Sequence, residues 1–369
     1  MDTKKTMRDY IYATPDRVIA NTDRAQELVK PLVDLYCRKD YRNIVIAASG
    51  SSYTAAQCAR IYLAHTLKTD VKIITPYTFA HYDCDLLRED DFMFIISQSG
   101  ASTNGIEVLK RLRDRGHETI ALTGNVESDF KEYCDHILDW GCGYESVGYV
   151  TLGVVTLVSY LMMFAAFAAR EKGYGDETGH CISQIRKAME NHREVCSATE
   201  SFVKANYKSL SGMERIYVCG CGSNFGTALE GALKIGETVK VPAIGYELDE
   251  VLHGPALQLS PRYTLFLVDG NDDTGAHARQ LYHAARHVSD NVYIISNDPD
   301  IEDAHALRIL DPCEEPFSCL HNLPFFELVA HMISSDLDTI KNHPLYYEMN
   351  KTLDFRTANF RKKTAAKDD

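Results

Sequence analysis

A surplus of positive charge is missing from this sequence. Thirty-nine lysines and arginines stand against 52 aspartates and glutamates, a formal net charge of −13 with pI near 5.5. The acidic residues are spread along the chain, which argues against a nucleic-acid surface and against an anionic membrane as partner. An anionic ligand must therefore be held by local donors. Cysteine pairs at metal-ligand spacing are missing too. Eleven cysteines occur, an odd number, and the closest two, Cys219 and Cys221, flank Gly220 in an apolar run. Reduced, mostly buried thiols fit that pattern, and with them a reducing, cytoplasmic compartment. The opening MDTKKTMRDYIYATPDRV carries no apolar export core and no small-residue cleavage site. Without an HExxH run or a paired-carboxylate ligand set, no metal and no other cofactor is expected. Without a GxGxxG turn after a strand, a dinucleotide oxidoreductase is set aside.

Among long apolar runs there is one to weigh, Thr151 to Ala169, uncharged and long enough to cross a bilayer. It contains Thr, Ser, Tyr and Gly and sits inside a regular strand and helix alternation. A helix buried on most sides, by a neighbouring lobe or a dimer partner, accounts for it better than a membrane span.

What is present is a duplication. NIVIAASG (Asn43 to Gly50) and RIYVCGCG (Arg215 to Gly222) are apolar runs ending in glycine, and Gly222 follows Gly50 by 172 positions. At nearly the same offset FMFIIS from Phe92 pairs with TLFLVD from Thr264, ETIALTGN from Glu118 with NVYIISND from Asn291, and HILDW from His136 with LRILDP from Leu307. Helical stretches such as TNGIEVLKRLRDRG and GAHARQLYHAARHV separate them. The fold class expected is α/β, two tandem doubly wound parallel-sheet domains. The expected boundaries are a helical lead over 1–30, a first domain over 31–170, a helical connection over 171–206, a second domain over 207–345 and a C-terminal tail over 346–369. That tail is expected to contribute to the site, with its end, RKKTAAKDD, frayed.

Ligands of open parallel sheets sit beyond the carboxyl ends of the strands. There the first repeat has Ser49-Gly50-Ser51-Ser52-Tyr53-Thr54 and then Ser97-Gln98-Ser99-Gly100-Ala101-Ser102. Both turns lead into helices, are rich in hydroxyls and contain a glycine that lets backbone approach a ligand, so together they can neutralise a phosphate without lysine. N-capping alone would explain one such loop, less well two that converge. The loops, above all SQSGxSxx after an apolar strand, resemble the sugar isomerase (SIS) domain family over nearly the whole chain, and within it the isomerase half of glutamine:fructose-6-phosphate amidotransferases. The resemblance implies phosphate contacts from Ser52, Ser97, Gln98, Ser99 and Ser102, with Gly50 and Ser51 lining the pocket.

The second repeat has Val268-Asp269-Gly270-Asn271 in place of the SQSG loop, yet it carries the densest ionisable motif, ALEGALKIGETVKVPAIGYELDEVLHGP. On a helix from Ser223, Glu230, Lys234 and Glu237 fall at i, i+4 and i+7 on one face, and an ion pair on a wet helix side would explain them. His253-Gly254-Pro255 is left over by that account. The stretch is similar to the family's ALEGALKLKE…ELKHGP segment. That similarity implies that Glu237 moves a proton between C1 and C2, that Glu230 and Lys234 line the pocket, and that His253, from a neighbouring subunit, opens the ring. EMNKTLDF resembles the family's NLAKSVTV and would put Lys351 at its Schiff-base lysine. A homodimer or larger homo-oligomer follows from the shared histidine.

The chain begins MDTKK with no glutaminase segment and no N-terminal catalytic cysteine, so glutamine-driven amino-sugar synthesis is not expected of it. Where the amidotransferases have EIGVASTK, it has Glu145-Ser146-Val147-Gly148-Tyr149-Val150-Thr151-Leu152, keeping the glutamate and losing the serine and lysine. Stand-alone two-lobed members resemble deglycases of fructosamine 6-phosphates, and that is the function expected. An amino-sugar-phosphate deaminase or isomerase is the alternative enzyme, and a non-catalytic sugar-phosphate-binding regulator the alternative of another class.

Overall fold

The computed structural model describes residues 5–301 and 303–361. Two five-stranded sheets, parallel throughout, organise it. The first contains β1 (Asn43–Ala48), β2 (Asp70–Ile74), β3 (Asp91–Ser97), β4 (Ile120–Thr123) and β5 (His136–Asp139) in the order β2-β1-β3-β4-β5. The second contains β6 (Arg215–Gly220), β7 (Ala243–Glu247), β8 (Tyr263–Val268), β9 (Val292–Ser296) and β10 (Ala306–Arg308) in the order β10-β9-β8-β6-β7, the same topology from the opposite edge. Equivalent central pairs are in equivalent register: Ile44 lies opposite Phe92 and Ile46 opposite Phe94, as Ile216 lies opposite Thr264 and Val218 opposite Phe266. The duplication inferred from four strand pairs is the architecture observed. The sequence reading missed the fifth strand of each sheet. β2 and β7 are edge strands with mostly half-exposed side chains, and they lack the continuous apolar run that buried parallel strands show.

The helices are α1 (Met7–Asp23), α2 (Ala25–Tyr36), α3 (Ser51–Leu67), the single turn α4 (Pro76–Thr78), α5 (Thr103–Asp114), α6 (Leu152–Glu171), α7 (Thr178–Ala205), the short α8 (Tyr207–Leu210), α9 (Ser223–Thr238), α10 (Gly275–Ala285), α11 (Cys319–Asp336) and α12 (Pro344–Thr352). The apolar run that could span a bilayer is α6, and every residue from Leu152 to Ala169 is buried among its neighbours. Its all-round hydrophobicity is that of a core helix with contacts to α1, α2, α3 and α7. All eleven cysteines are free.

α3 and α9, the first helix of each repeat, pack on one another where the lobes meet. The approach is close enough to require glycine: a Cβ on Gly226 would stand 2.4 Å from the backbone nitrogen of Cys58. This crossing brings the loop after β1 against the charged face of α9. Beyond α12 the chain returns to the first lobe. Ser102 and Arg356 form an antiparallel bridge, Thr103 N donates to Phe355 O at 3.3 Å, and Thr357 N donates to Ala101 O at 3.1 Å. The end of the expected frayed tail, residues 362–369, lies outside the described residues.

Candidate active site

The hydroxyl loops stand where the carboxyl ends of β1 and β3 turn into α3 and α5. Ser51 and Ser52 open α3 behind Gly50, whose φ of 56° a side chain would strain. Ser97 ends β3, and Ser102 is the N-cap residue of α5, its Oγ 3.4 Å from that of Ser97. Between them Gly100 turns at φ 57°, where a Cβ would lie 1.9 Å from Ser128 Oγ. Asn104 Nδ2 donates to Ser49 Oγ at 3.3 Å and ties the two loops together. Ser52 and Ser97 are buried. The structure thus gathers all the hydroxyls assigned to phosphate by resemblance at one end of the first sheet, and Gln98 with them.

The row on α9 faces these loops. Far from lying on a wet helix side, Glu230 and Lys234 are 0% and 1% exposed. Ser51 Oγ donates to Glu230 Oε1 at 3.0 Å, Thr54 Oγ1 donates to Glu230 Oε2 at 2.5 Å, and Lys234 Nζ donates to Ser51 Oγ at 3.0 Å. Lys234 also pairs with Glu230 at 3.1 Å and with Glu237. Burial works against the Lys234 ammonium, but its two carboxylate neighbours outweigh burial and raise its pKa above the ordinary lysine value. Glu237, at the open end of the row, keeps about a third of its side chain exposed. Burial pushes its carboxyl above the ordinary range while Lys234 pulls it back. A carboxylate so placed, with its affinity for a proton raised, can accept one and return it.

Two assigned residues stand apart from this row within the chain. His253 follows a short 3₁₀ turn on the second lobe, is 67% exposed, and lies 3.3 Å from Asp249 through its Nε2. Lys351, on the exposed side of α12, pairs with Glu348 at 2.6 Å. The rim beside Glu237 is made by other groups. Lys240 Nζ donates to the Glu237 carbonyl and, at 2.8 Å, to Asn342 Oδ1, and Tyr149 OH donates to Ile340 O at 2.6 Å. The Tyr149 hydroxyl is pushed up by burial and then by the Glu237 charge.

Sequence reasoning missed three residues that the fold brings to this site. Glu145 accepts from Gln98 Nε2 at 3.0 Å and, at the head of α6, from the backbone nitrogens of Thr151 at 2.8 Å and Gly153 at 3.2 Å. It both caps the core helix and orients the cradle glutamine. Its retention where the neighbouring serine and lysine are lost was the signal. Arg356, largely withdrawn from solvent, donates to Ser99 Oγ at 3.1 Å. Glu327 on α11 is fully buried with both oxygens lacking a hydrogen-bond partner, and burial, then the Glu230 charge, raise its pKa well above the ordinary glutamate value. Nothing in the sequence pattern marked the last two.

The second lobe carries the twin of this site. A cleft of about 910 Å³ is lined by, among others, Tyr62, His65, Gly222, Phe225 and Asp272. By the 172-residue offset these correspond to Lys234, Glu237, Gly50, Tyr53 and Gly100. The lysine and glutamate row is absent there, and the head of α9 is already occupied: Glu315 Oε1 accepts from Ser223 N at 2.6 Å. A resident carboxylate takes the donor that a phosphate would need. The buried lysine and glutamate row and the paired hydroxyl loops are assembled on one side of the duplication only.

Those features define a two-lobed, duplicated α/β protein, and the chain belongs to the SIS domain family, whose model matches residues 37–168 and 209–321. Among its relatives, the glutamine–fructose-6-phosphate aminotransferase (isomerizing) of Sulfolobus acidocaldarius is 24% identical over 334 residues, which is 90% of this chain and 52% of that protein. The Homo sapiens glutamine–fructose-6-phosphate aminotransferase (isomerizing) 2 is 27% identical over 241 residues, 62% of this chain and 33% of that protein. The chain therefore spans about half the length, or less, of these curated relatives. Its fold is similar to a Clostridium difficile protein provisionally described as a phosphosugar isomerase (TM-score 0.85, 24% identity, 96% and 100% of the two chains). It is similar also to a Thermotoga maritima glucosamine-6-phosphate deaminase (TM-score 0.68, 19% identity, 88% and 94%).

Proposed function

We propose that the chain is a deglycase that cleaves a fructosamine 6-phosphate into glucose 6-phosphate and a free amine. The observation that carries the reading is the contact of the two halves through Ser51, which sets the hydroxyl cradle of one lobe against Lys234 and Glu237 of the other. A hexose held by its phosphate at the cradle extends its C1–C2 end toward Glu237. Glu237 takes a proton from C1 while an acid, His253 of a neighbouring subunit, protonates the C2 oxygen, giving an enolamine. Return of a proton to C2 gives the aldimine. Water adds at C1, the C–N bond breaks, and the amine departs.

The lysines support this route over one that builds an imine on the enzyme. Lys234 is held as an ammonium by two carboxylates, and Lys351 is exposed and paired with Glu348. A nucleophilic lysine must be neutral and aimed at the carbonyl. A fructosamine brings its own nitrogen and needs only acid and base. Eleven free cysteines support a reducing, cytoplasmic setting for the enzyme.

The test is release of glucose 6-phosphate from a panel of 6-phosphorylated fructosamines, coupled to a dehydrogenase that forms NADPH, with glucosamine 6-phosphate alongside. Turnover of amine or amino-acid adducts and none of glucosamine 6-phosphate is the expected result. Ammonia from glucosamine 6-phosphate with silence on every adduct would instead make the chain a deaminase.

A further inference from the structure

The C-terminal segment Asp354–Thr357 pairs with the SQSG loop as a short strand, on both sides of Ser102. Its Arg356 reaches Ser99, one of the hydroxyls assigned to phosphate, yet among the described residues no carboxylate lies within 4.0 Å of its guanidinium. The neighbouring Arg361 is satisfied by Asp354, so the arm's acid is already engaged. Phe355 and Phe360 flank Arg356, each ring centre 5.6 Å from its Cζ, and fix the direction of the side chain. Arginine stays charged in proteins, and withdrawing an unpaired charge from water is costly unless an anion completes it. The cradle otherwise offers neutral hydroxyls, amides and a helix terminus, and the ammonium that touches it through Ser51, Lys234, is already paired with Glu230 and Glu237.

We propose that Arg356 is the counter-cation of the substrate phosphate, and that the arm Asp354–Thr357 forms one wall of the phosphate site. The proposal rests on the sugar-phosphate reading of the cradle. It also assigns a purpose to the return of the chain from the second lobe to the first. The guanidinium fork can bond Ser99 and a phosphate oxygen together, a geometry that lysine's point charge reproduces only in part.

Calorimetry on the full chain with glucose 6-phosphate, and with glucose as the neutral comparison, tests it. The unaltered protein is expected to prefer the phosphorylated sugar strongly. Arg356→Gln, which keeps a donor for Ser99 but no charge, is expected to raise the Kd for glucose 6-phosphate roughly 10- to 100-fold, and Arg356→Lys by less. Glucose 6-phosphate bound by Arg356→Gln as tightly as by the unaltered protein would overturn the assignment. So would equal losses in the Gln and Lys variants, which would make Arg356 a docking residue for the arm. Failure of the unaltered protein to distinguish the two sugars would remove the phosphate site itself and the proposal with it, a result visible before any substitution is made.

Discussion

Lys234 sits between two carboxylates and decides what each can do. With Glu230 it completes a buried pair whose remaining bonds go to Ser51 and Thr54, and with Glu237 it restrains a carboxyl that burial alone would raise further. Glu237→Gln is expected to lower kcat by at least about 10³-fold with little change in Kd for a hexose 6-phosphate, since the amide keeps the shape and loses the base. Lys234→Met removes the opposing charge, so the Glu237 pKa rises and the acid limb of kcat/KM moves to higher pH. A limb that stays in place or moves to lower pH would show that another group titrates there. Glu327 makes a stability statement. Its folded pKa lies above the unfolded value, so the folded state holds the proton longer and stability falls as pH climbs past the ordinary glutamate range. Glu327→Gln, neutral at every pH, is expected to gain roughly 2–4 °C in Tm at pH 8 and progressively less toward pH 5. Thermal scans across that range check it. Glu230, Lys234 and Glu237 were legible because a helix repeats its faces every three to four residues. Arg356 and Glu327 were not, since their meaning comes from which element each is folded against.

At the scale of elements, the site exists because α3 and α9 approach closely enough for Ser51 and Thr54 to reach Glu230. Gly226→Ala places a methyl 2.4 Å from the Cys58 backbone, where no flexible side chain can yield. Overpacking of this kind costs about 1–3 kcal/mol. It should also pull Thr54 from Glu230, so weaker sugar-phosphate binding is expected to accompany the loss of stability. A variant with lower Tm and unchanged Kd would uncouple the crossing from the site. The central strands were readable as apolar runs because both faces of each sheet are covered. The edge strands β2 and β7 were not, because half-exposed strands need no such run. Glu145 joins two elements in a way no local pattern reveals, capping α6 from six to eight residues upstream while holding Gln98 of another loop.

For the molecule as a whole, the repeat made the topology readable, and the loss of SQSG in the second copy told which lobe keeps the pair of hydroxyl loops. It did not tell what occupies the head of α9, the counterpart of the Ser51 turn, which is the Glu315 carboxylate. The remaining question at this scale is the acid. His253 is exposed beside Asp249, with Ile244, Leu252 and Leu257 exposed on the neighbouring β7 and 3₁₀ turns. Apolar side chains around an exposed histidine suit a surface covered by a second copy of the chain. If each site combines Glu237 of one subunit with His253 of another, Glu237→Gln and His253→Ala homodimers are both inactive. A mixed dimer then has one site with both residues intact and one with neither. Random exchange makes about half the dimers mixed, each with one working site of two, so about a quarter of the unaltered activity should return on co-refolding or co-expression. Both residues acting within one chain would leave every site of the mixture defective, and no activity would return.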